Sequence, residues 1–213
     1  MKGFIAVVTV WSLILAAAPV FAEGFLDIYA GPSFTDTANV TVGTSSTSAS
    51  RKVGFTNELT YGIRGGYWFS KLPWMGVGGD ISSQHARGAN VKFDLTPISP
   101  KVLFRLPLLK DEEAPYGRIQ PYAGIGPSIS LYTYGSVDFG PPLNGTNDWD
   151  VCYGVEVPAG IAVQVARHLA LFTEYRYALY DIKIKYDSWF SSDREIRTTL
   201  SQHNLLFGVS FRF

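Results

Sequence analysis

The chain has 213 residues, with Lys+Arg and Asp+Glu balanced at 18 each, 15% aromatic residues and 17% charged residues. Zero net charge excludes binding to nucleic acid or acidic lipid by bulk charge, and the aromatic content excludes disorder. The length allows one large domain or two small ones, and a mean hydropathy of only +0.09 beside so many aromatics and 21 Gly calls for an explanation.

Residues 1–22 read as a secretory signal peptide. Lys2 is the positive start, Phe4 to Ala18 is an apolar run broken only by Thr9 and Ser12, and Val20-Phe21-Ala22 carries small residues at the positions before a cleavage site after Ala22. That run is shorter than the roughly 20 residues of a helical span, and no later segment reaches that length. The mature domain is then 23–213. The single cysteine, Cys152, excludes an internal disulfide and a cysteine-based metal cluster.

From there the chain repeats one pattern: apolar residues at every second position, with small or polar residues between. This is the signature of strands with two unlike faces. Eight such segments are predicted, at about 25–34, 58–69, 74–85, 93–107, 119–134, 152–167, 169–185 and 198–213. In the first, Leu26, Ile28 and Ala30 oppose Asp27, Tyr29 and Gly31. In the third, Met75, Val77 and Ile81 oppose Gly76, Gly78, Asp80 and Gln84. The sixth is the cleanest, with Tyr153, Val155, Val157, Ala159 and Ile161 against Cys152, Gly154, Glu156, Pro158 and Gly160. The last sets Leu205, Phe207, Val209, Phe211 and Phe213 against Asn204, Leu206, Gly208, Ser210 and Arg212.

Two segments change phase. Phe93 and Leu95 disagree with Ile98 onward, and Ile182, Ile184 and Tyr186 disagree with Tyr177 and Leu179. A bulge repairs either slip. A strand that runs on beyond a membrane, where the inside–outside rule lapses, explains it equally. The connections alternate between compact turns (70–73, 109–117, 167–168) and longer polar stretches (35–57, 85–92, 135–150, 186–197). The Thr- and Ser-rich stretch 35–50 has no turn chemistry to fix it and reads as mobile.

Three motifs carry a resemblance: Gln120-Pro121-Tyr122-Ala123-Gly124-Ile125-Gly126, Glu174-Tyr175-Arg176-Tyr177, and His203 through Phe213. With the signal peptide and the alternating loop lengths, the mature chain resembles the small eight-stranded bacterial outer-membrane barrels, the group of the OmpA transmembrane domain, OmpX and opacity-type adhesins. The resemblance implies an all-β, eight-stranded antiparallel up-and-down transmembrane β-barrel in the cell outer membrane, with both mature termini periplasmic. It implies lipid and lipopolysaccharide as neighbours. It also implies the barrel assembly machinery as a partner, reading Phe207, Val209, Phe211 and Phe213 as its signal. An extracellular ligand bound through the loops remains open; nucleic acid is not expected.

In such a barrel the small or polar face turns inward. That places Asp27, Arg64, Asp80, Lys101, Arg105, Glu156, Glu174, Arg176 and Arg212 in the lumen, where charges must pair. Eight strands enclose a space just wide enough for side chains. A side-chain-filled interior and a narrow pore are both open readings. The aromatics read as two interfacial girdles: Tyr67, Trp68, Phe69 and Trp74 with Phe211 and Phe213 at one end, and Tyr132, Tyr134, Tyr153, Tyr177, Tyr180 and Tyr186 at the other. Loop aromatics Trp149, Trp189 and Phe190 offer stacking surfaces for carbohydrate.

Some barrels similar to this one modify lipid A, which needs a Ser activated by a His. None of His85, His168 and His203 falls in the His-x-Ser-Asn order of such enzymes. No catalytic, metal or cofactor residues are expected, and the chain reads as a structural or surface-interaction protein, with a lipid A-modifying enzyme as the alternative.

Overall fold

A computed structural model describes residues 23–43, 48–88, 92–112, 114–135, 149–188 and 191–213. The predicted signal peptide and its cleavage site, most of the 135–150 connection, and the side chains of Tyr134, Trp149, Tyr186, Trp189 and Phe190 lie outside the described residues. The strands are β1 (Glu23–Thr35), β2 (Ala38–Gly43), β3 (Ser48–Val53), β4 (Phe55–Thr56), β5 (Glu58–Trp68), β6 (Met75–Gly88), β7 (Lys92–Arg105), β8 (Ile119–Gly135), β9 (Trp149–Ala166), β10 (Leu169–Ser188) and β11 (Ser191–Arg212).

Eight of these form the wall. β1, β5, β6, β7, β8, β9, β10 and β11 pair antiparallel in that order, and β1 pairs β11 from Phe25↔Arg212 to Thr35↔Gln202. The sheet therefore closes on itself, and a closed barrel has no edge to protect. Between β7 and β8, the constant register puts Pro100 level with Pro127. Neither can donate to the ladder, and pairing resumes at Ile98↔Ile129 and Val102↔Ile125.

The described residues of the 35–57 stretch form strands, including those of 35–50, which has no turn chemistry to signal them. β2 and β3 pair in the same register as β1 and β5, so β1–β2 and β3–β5 are two long strands, each broken once or twice. The physical reason lies in β11, which outruns β1. Its residues Glu195–Arg197 would be an open edge, and Thr41–Gly43 of β2 cover it. Alternating Val and Thr supply the β propensity that the missing turn signals obscured.

Burial divides the barrel into two storeys. In the lower one, large apolar side chains face out: Ile28, Leu59, Ile63, Ile81, Ile125, Ile129, Ile161, Leu171 and Phe207 are each about half exposed. An exposed apolar band all round a barrel is a lipid contact. In the upper storey the rule reverses. Phe93, Leu95, Tyr132, Ile182 and Leu200 are buried inside, packed with Cys152 and Tyr180, while Asp94, Thr133, Asp181, Lys183 and Thr199 face out.

This reversal accounts for both phase slips. β7 alternates without a bulge through Phe93, Leu95, Pro97 and Ser99, all inward. Above the apolar band the outside is water, so an apolar inside becomes the favoured arrangement. Ile182 behaves the same way on β10; the side chains of Ile184 and Tyr186 lie outside the described set.

Glycine explains how the interior accommodates its rings. Phe25, Tyr29, Trp68, Tyr122, Phe172 and Tyr180 are directly opposite Gly66, Gly62, Gly76, Gly160, Gly208 and Gly154. In each pair, a Cβ on the glycine would sit 2.5–2.9 Å from the aromatic side chain. The ring fills the room the glycine leaves. Tyr132 and Tyr180, read as girdle residues, point inward, and so does Trp68, which alternation along its strand placed on the inward face although it was also counted in the lower girdle. Outward rings do mark the lower rim, with Trp74 stacked on Phe104 at 6.0 Å and Tyr67 edge-on to Phe69 at 5.2 Å.

Candidate functional site in the charged lumen

The lower storey encloses a polar column between apolar ends. Period two aims Asp27, Arg64 and Asp80 inward from β1, β5 and β6, where they are consecutive cross-strand partners. Arg64 binds Asp27 at 2.7 Å and Glu174 of β10 at 2.6 Å. Arg176, two residues on and so on the same face, grips Asp80 with two nitrogens at 3.2 and 3.0 Å. It also donates to Glu174 at 2.6 Å. Lys101 completes the column, 2.7 Å from Glu156 and 3.4 Å from Asp80.

Three tyrosines tie the acids further. Tyr29 donates to Asp80 at 2.6 Å, Tyr122 to Glu174 at 2.7 Å and Tyr180 to Glu156 at 2.8 Å. Three of the six rings opposite glycine are thus the rings that satisfy the carboxylates. Arg176 also lies over the Tyr29 ring, 4.8 Å from its centroid, a cation–π contact strengthened by the burial of both side chains.

A second, smaller cluster closes the lower mouth. Arg105 binds Glu23 at 2.5 Å, and Arg212 reaches the other oxygen of Glu23 at 3.6 Å. Arg105 further donates to Gln120 and to the carbonyl of Pro73, and stacks on Trp68 at 4.4 Å.

The nine residues predicted for the interior are all buried, seven in the column and two at the mouth. The sequence reading missed Glu23, which precedes the segment it began at residue 25. With Glu23, the buried charges among the described residues are five acids and five bases. The column alone holds four acids and three bases; the mouth holds one acid and two bases. The whole is neutral, as burial demands.

Free space in the lumen is small. A cavity of about 10 Å³ lies beside Asp27, Arg64, Tyr122, Phe172 and Arg212, about the room that one water needs. Above the column, the apolar packing of Phe93, Leu95, Tyr132 and Leu200 fills the upper storey.

The histidines lie apart from this network. His168 contacts the carbonyl of Arg212 at 2.9 Å in the lower turn. His85 and His203 face outward, His85 against Asp94 at 2.7 Å. His203 has both ring nitrogens engaged, Nδ1 with the Tyr175 hydroxyl at 2.6 Å and Nε2 with Asp36 at 3.1 Å. Ser201, two residues away, is met instead by Tyr177 at 3.5 Å. Among the described residues, no three His, Cys, Asp or Glu side chains converge as a metal site would require.

At the chain terminus, Phe207, Phe211 and Phe213 point outward, and Val209 is half-buried. Phe213 exchanges backbone hydrogen bonds with Gly24 at 2.7 and 3.0 Å, so the last residue is stitched to the first strand.

Comparison with solved structures finds the same architecture. Neisserial surface protein A (NspA) is 16% identical, with a TM-score of 0.52, over 89% of this chain and 97% of the other. OprG of Pseudomonas aeruginosa is 11% identical, with a TM-score of 0.56, over 89% and 96%. At these identities the likeness shows the fold. Comparison with curated protein sequences finds no match. The model of the family described as "Outer membrane protein beta-barrel domain" matches residues 8–213. Closed eight-stranded wall, lipid-facing band and family match together identify the chain as a member of that outer-membrane β-barrel family.

Proposed function

We propose that the protein is a non-conducting, non-enzymatic barrel of the outer membrane whose working surface is extracellular. The observation that carries this reading is the filled lumen: ten buried charges of zero net sum, topped by an apolar plug. A pore needs a continuous wet path, and an apolar constriction gates by dewetting. The mature domain is 23–213, with both termini in the periplasm, and the outward Phe207, Val209, Phe211 and Phe213 are the segment read by the assembly machinery.

Ser201 and His203 share the outward face, but they do not form an activated pair. Both nitrogens of His203 are taken, leaving none to accept the Ser201 proton. Mass spectrometry of lipid A from cells with and without the protein should show identical acyl chains. A change abolished by His203→Ala would assign an enzyme.

The upper storey stands clear of the lipid and carries its own apolar core, the construction of a rigid platform for loops. Cells displaying the intact protein should bind a surface or glycan target that cells displaying loop deletions of 36–57 and 136–150 do not. Equal binding by both would remove those loops as the working surface.

A further inference from the structure

Buried polar atoms that make no hydrogen bond are rare, and a water or an ion is a common reason for one. Several in this lumen are hydroxyls, at Ser33, Ser99, Ser128, Thr198 and Ser210, and a hydroxyl rotates to suit its neighbours. Others, on Lys101, Glu156, Glu23 and Arg105, lie in ion pairs. The indole N–H of Trp68 and the Nε–H of Arg212 are different. Their direction is fixed by a planar group, and neither makes a hydrogen bond among the described residues. Asp27 supplies the complementary case: Oδ2 holds Arg64, whereas Oδ1 accepts no hydrogen bond from them. Trp68, Arg212 and Asp27 line one cavity, the space of about 10 Å³ in the lower lumen.

Register brings the three together. Across β1–β11, Ser210 is level with Asp27 and Arg212 with Phe25, so Arg212 enters the lumen one inward position below Asp27. Its guanidinium lies over the Phe25 ring, 5.6 Å from the centroid, and reaches Glu23 only at 3.6 Å. Glu23 is shared with Arg105. The mouth, with one acid and two bases, is left net positive, and the column above, with four acids and three bases, net negative. Asp27 and Arg212 are where the two clusters meet.

The lining selects its ligand. An anion would face the Asp27 carboxylate, and a cation would face Arg212 and Arg64. A neutral molecule of one heavy atom, able both to donate and to accept, suits every group. A buried water meets that description and needs two to four polar partners.

We propose that this cavity binds a single water, which accepts from Trp68 Nε1 and Arg212 Nε and donates to Asp27 Oδ1. A water-bridged ion pair thereby joins the charged column to the lower mouth, and such a bridge is enthalpically nearly as good as a direct hydrogen bond. Hydration is one-sided, because the upper storey around Phe93, Leu95 and Leu200 is apolar. The site goes beyond the surface role proposed above and needs no extracellular ligand.

The test is X-ray radiolytic footprinting of the mature protein refolded into nanodiscs, read by mass spectrometry. Hydroxyl radicals formed from a bound water oxidise the side chains beside it. Phe25 and Phe172 line the cavity, Phe93 lies in the upper storey, and all three are buried. Phe25 and Phe172 should be oxidised severalfold faster than Phe93. Rapid mixing into water carrying a heavy oxygen isotope, just before the pulse, should leave the light isotope on both, because an enclosed water exchanges slowly. Ala162→Val extends a side chain into the same cavity and should bring both down to the Phe93 rate, with folding verified by heat-modifiable migration. The wild-type comparison stands whether or not that variant folds. Equal oxidation of the three phenylalanines, or undiminished oxidation in folded A162V, overturns the proposal. Heavy isotope reaching Phe25 and Phe172 as fast as the bulk overturns it in favour of an open lower mouth, and conductance separates such a mouth from a pore through the whole lumen.

Discussion

Tyr29 occupies the space that a side chain on Gly62 would fill, and from there its hydroxyl reaches Asp80 at 2.6 Å. One residue pair therefore joins the two organising features of the lumen, rings over glycines and carboxylates held by rings. A Cβ on Gly62 would stand 2.5 Å from the Tyr29 oxygen and 2.6 Å from the carbonyl of Ile81. Gly62→Ala should destabilise the barrel by about 1–3 kcal/mol, the usual cost of overpacking. Urea unfolding in lipid vesicles measures it. Gly54, with nothing near its Cβ position, is the matched control and should tolerate Ala.

Arg176 is fully buried and contacts Asp80, Glu174 and Glu156. Arg176→Met would leave an excess of buried negative charge, which Lys101 and Arg64 alone cannot neutralise. Removing one partner of a buried pair costs about 3–5 kcal/mol. The same vesicle unfolding assay should show a loss of that size. Exposed Lys183→Met, by contrast, should cost less than about 1 kcal/mol, since its pair with Asp181 is a surface one.

The reversal of faces along β7 predicts a pattern of labelling. In a Cys152→Ala background, single cysteines at Asp94, Leu95 and Ile98 should behave as three classes. The first reacts with a water-soluble maleimide, the second is slow because it is buried in the upper core, and a spin label at the third is broadened by lipid-soluble oxygen. Fast aqueous reaction at Leu95 would contradict the apolar upper storey.

Most of the wall was legible in the sequence because lipid enforces period two more strictly than water does. Wherever the outside is hydrocarbon, as from Cys152 to Ala166, alternation alone separates the lipid face from the lumen. The upper storey was half legible. Phe93, Leu95 and Ile182 are apolar and inward, where the membrane rule puts apolar residues out, and the sequence left a bulge and a strand running on beyond the membrane as equal explanations of that change of phase; β7, which runs through without a bulge, decides for the second. The β2–β3 hairpin was missed because its order comes from the overhanging edge of β11, a tertiary cause with no local turn signal. Trp68, Tyr132 and Tyr180 were taken for girdle residues because aromatic content suggests interfaces. For Trp68 and Tyr180 the opposite Gly76 and Gly154 were the available clue, visible only once the register is known; Tyr132, opposite Leu95 and Asp150, offered none. Glu23 was missed for a smaller reason: it lies at the predicted mature terminus, where alternation has no preceding residue to set its phase.

The most direct test of the closed, charge-neutral lumen is single-channel recording of the refolded mature protein in a planar bilayer. The account predicts no stable openings above the lipid background, at either polarity. Discrete, long-lived openings from protein whose folding is verified by heat-modifiable migration would contradict it.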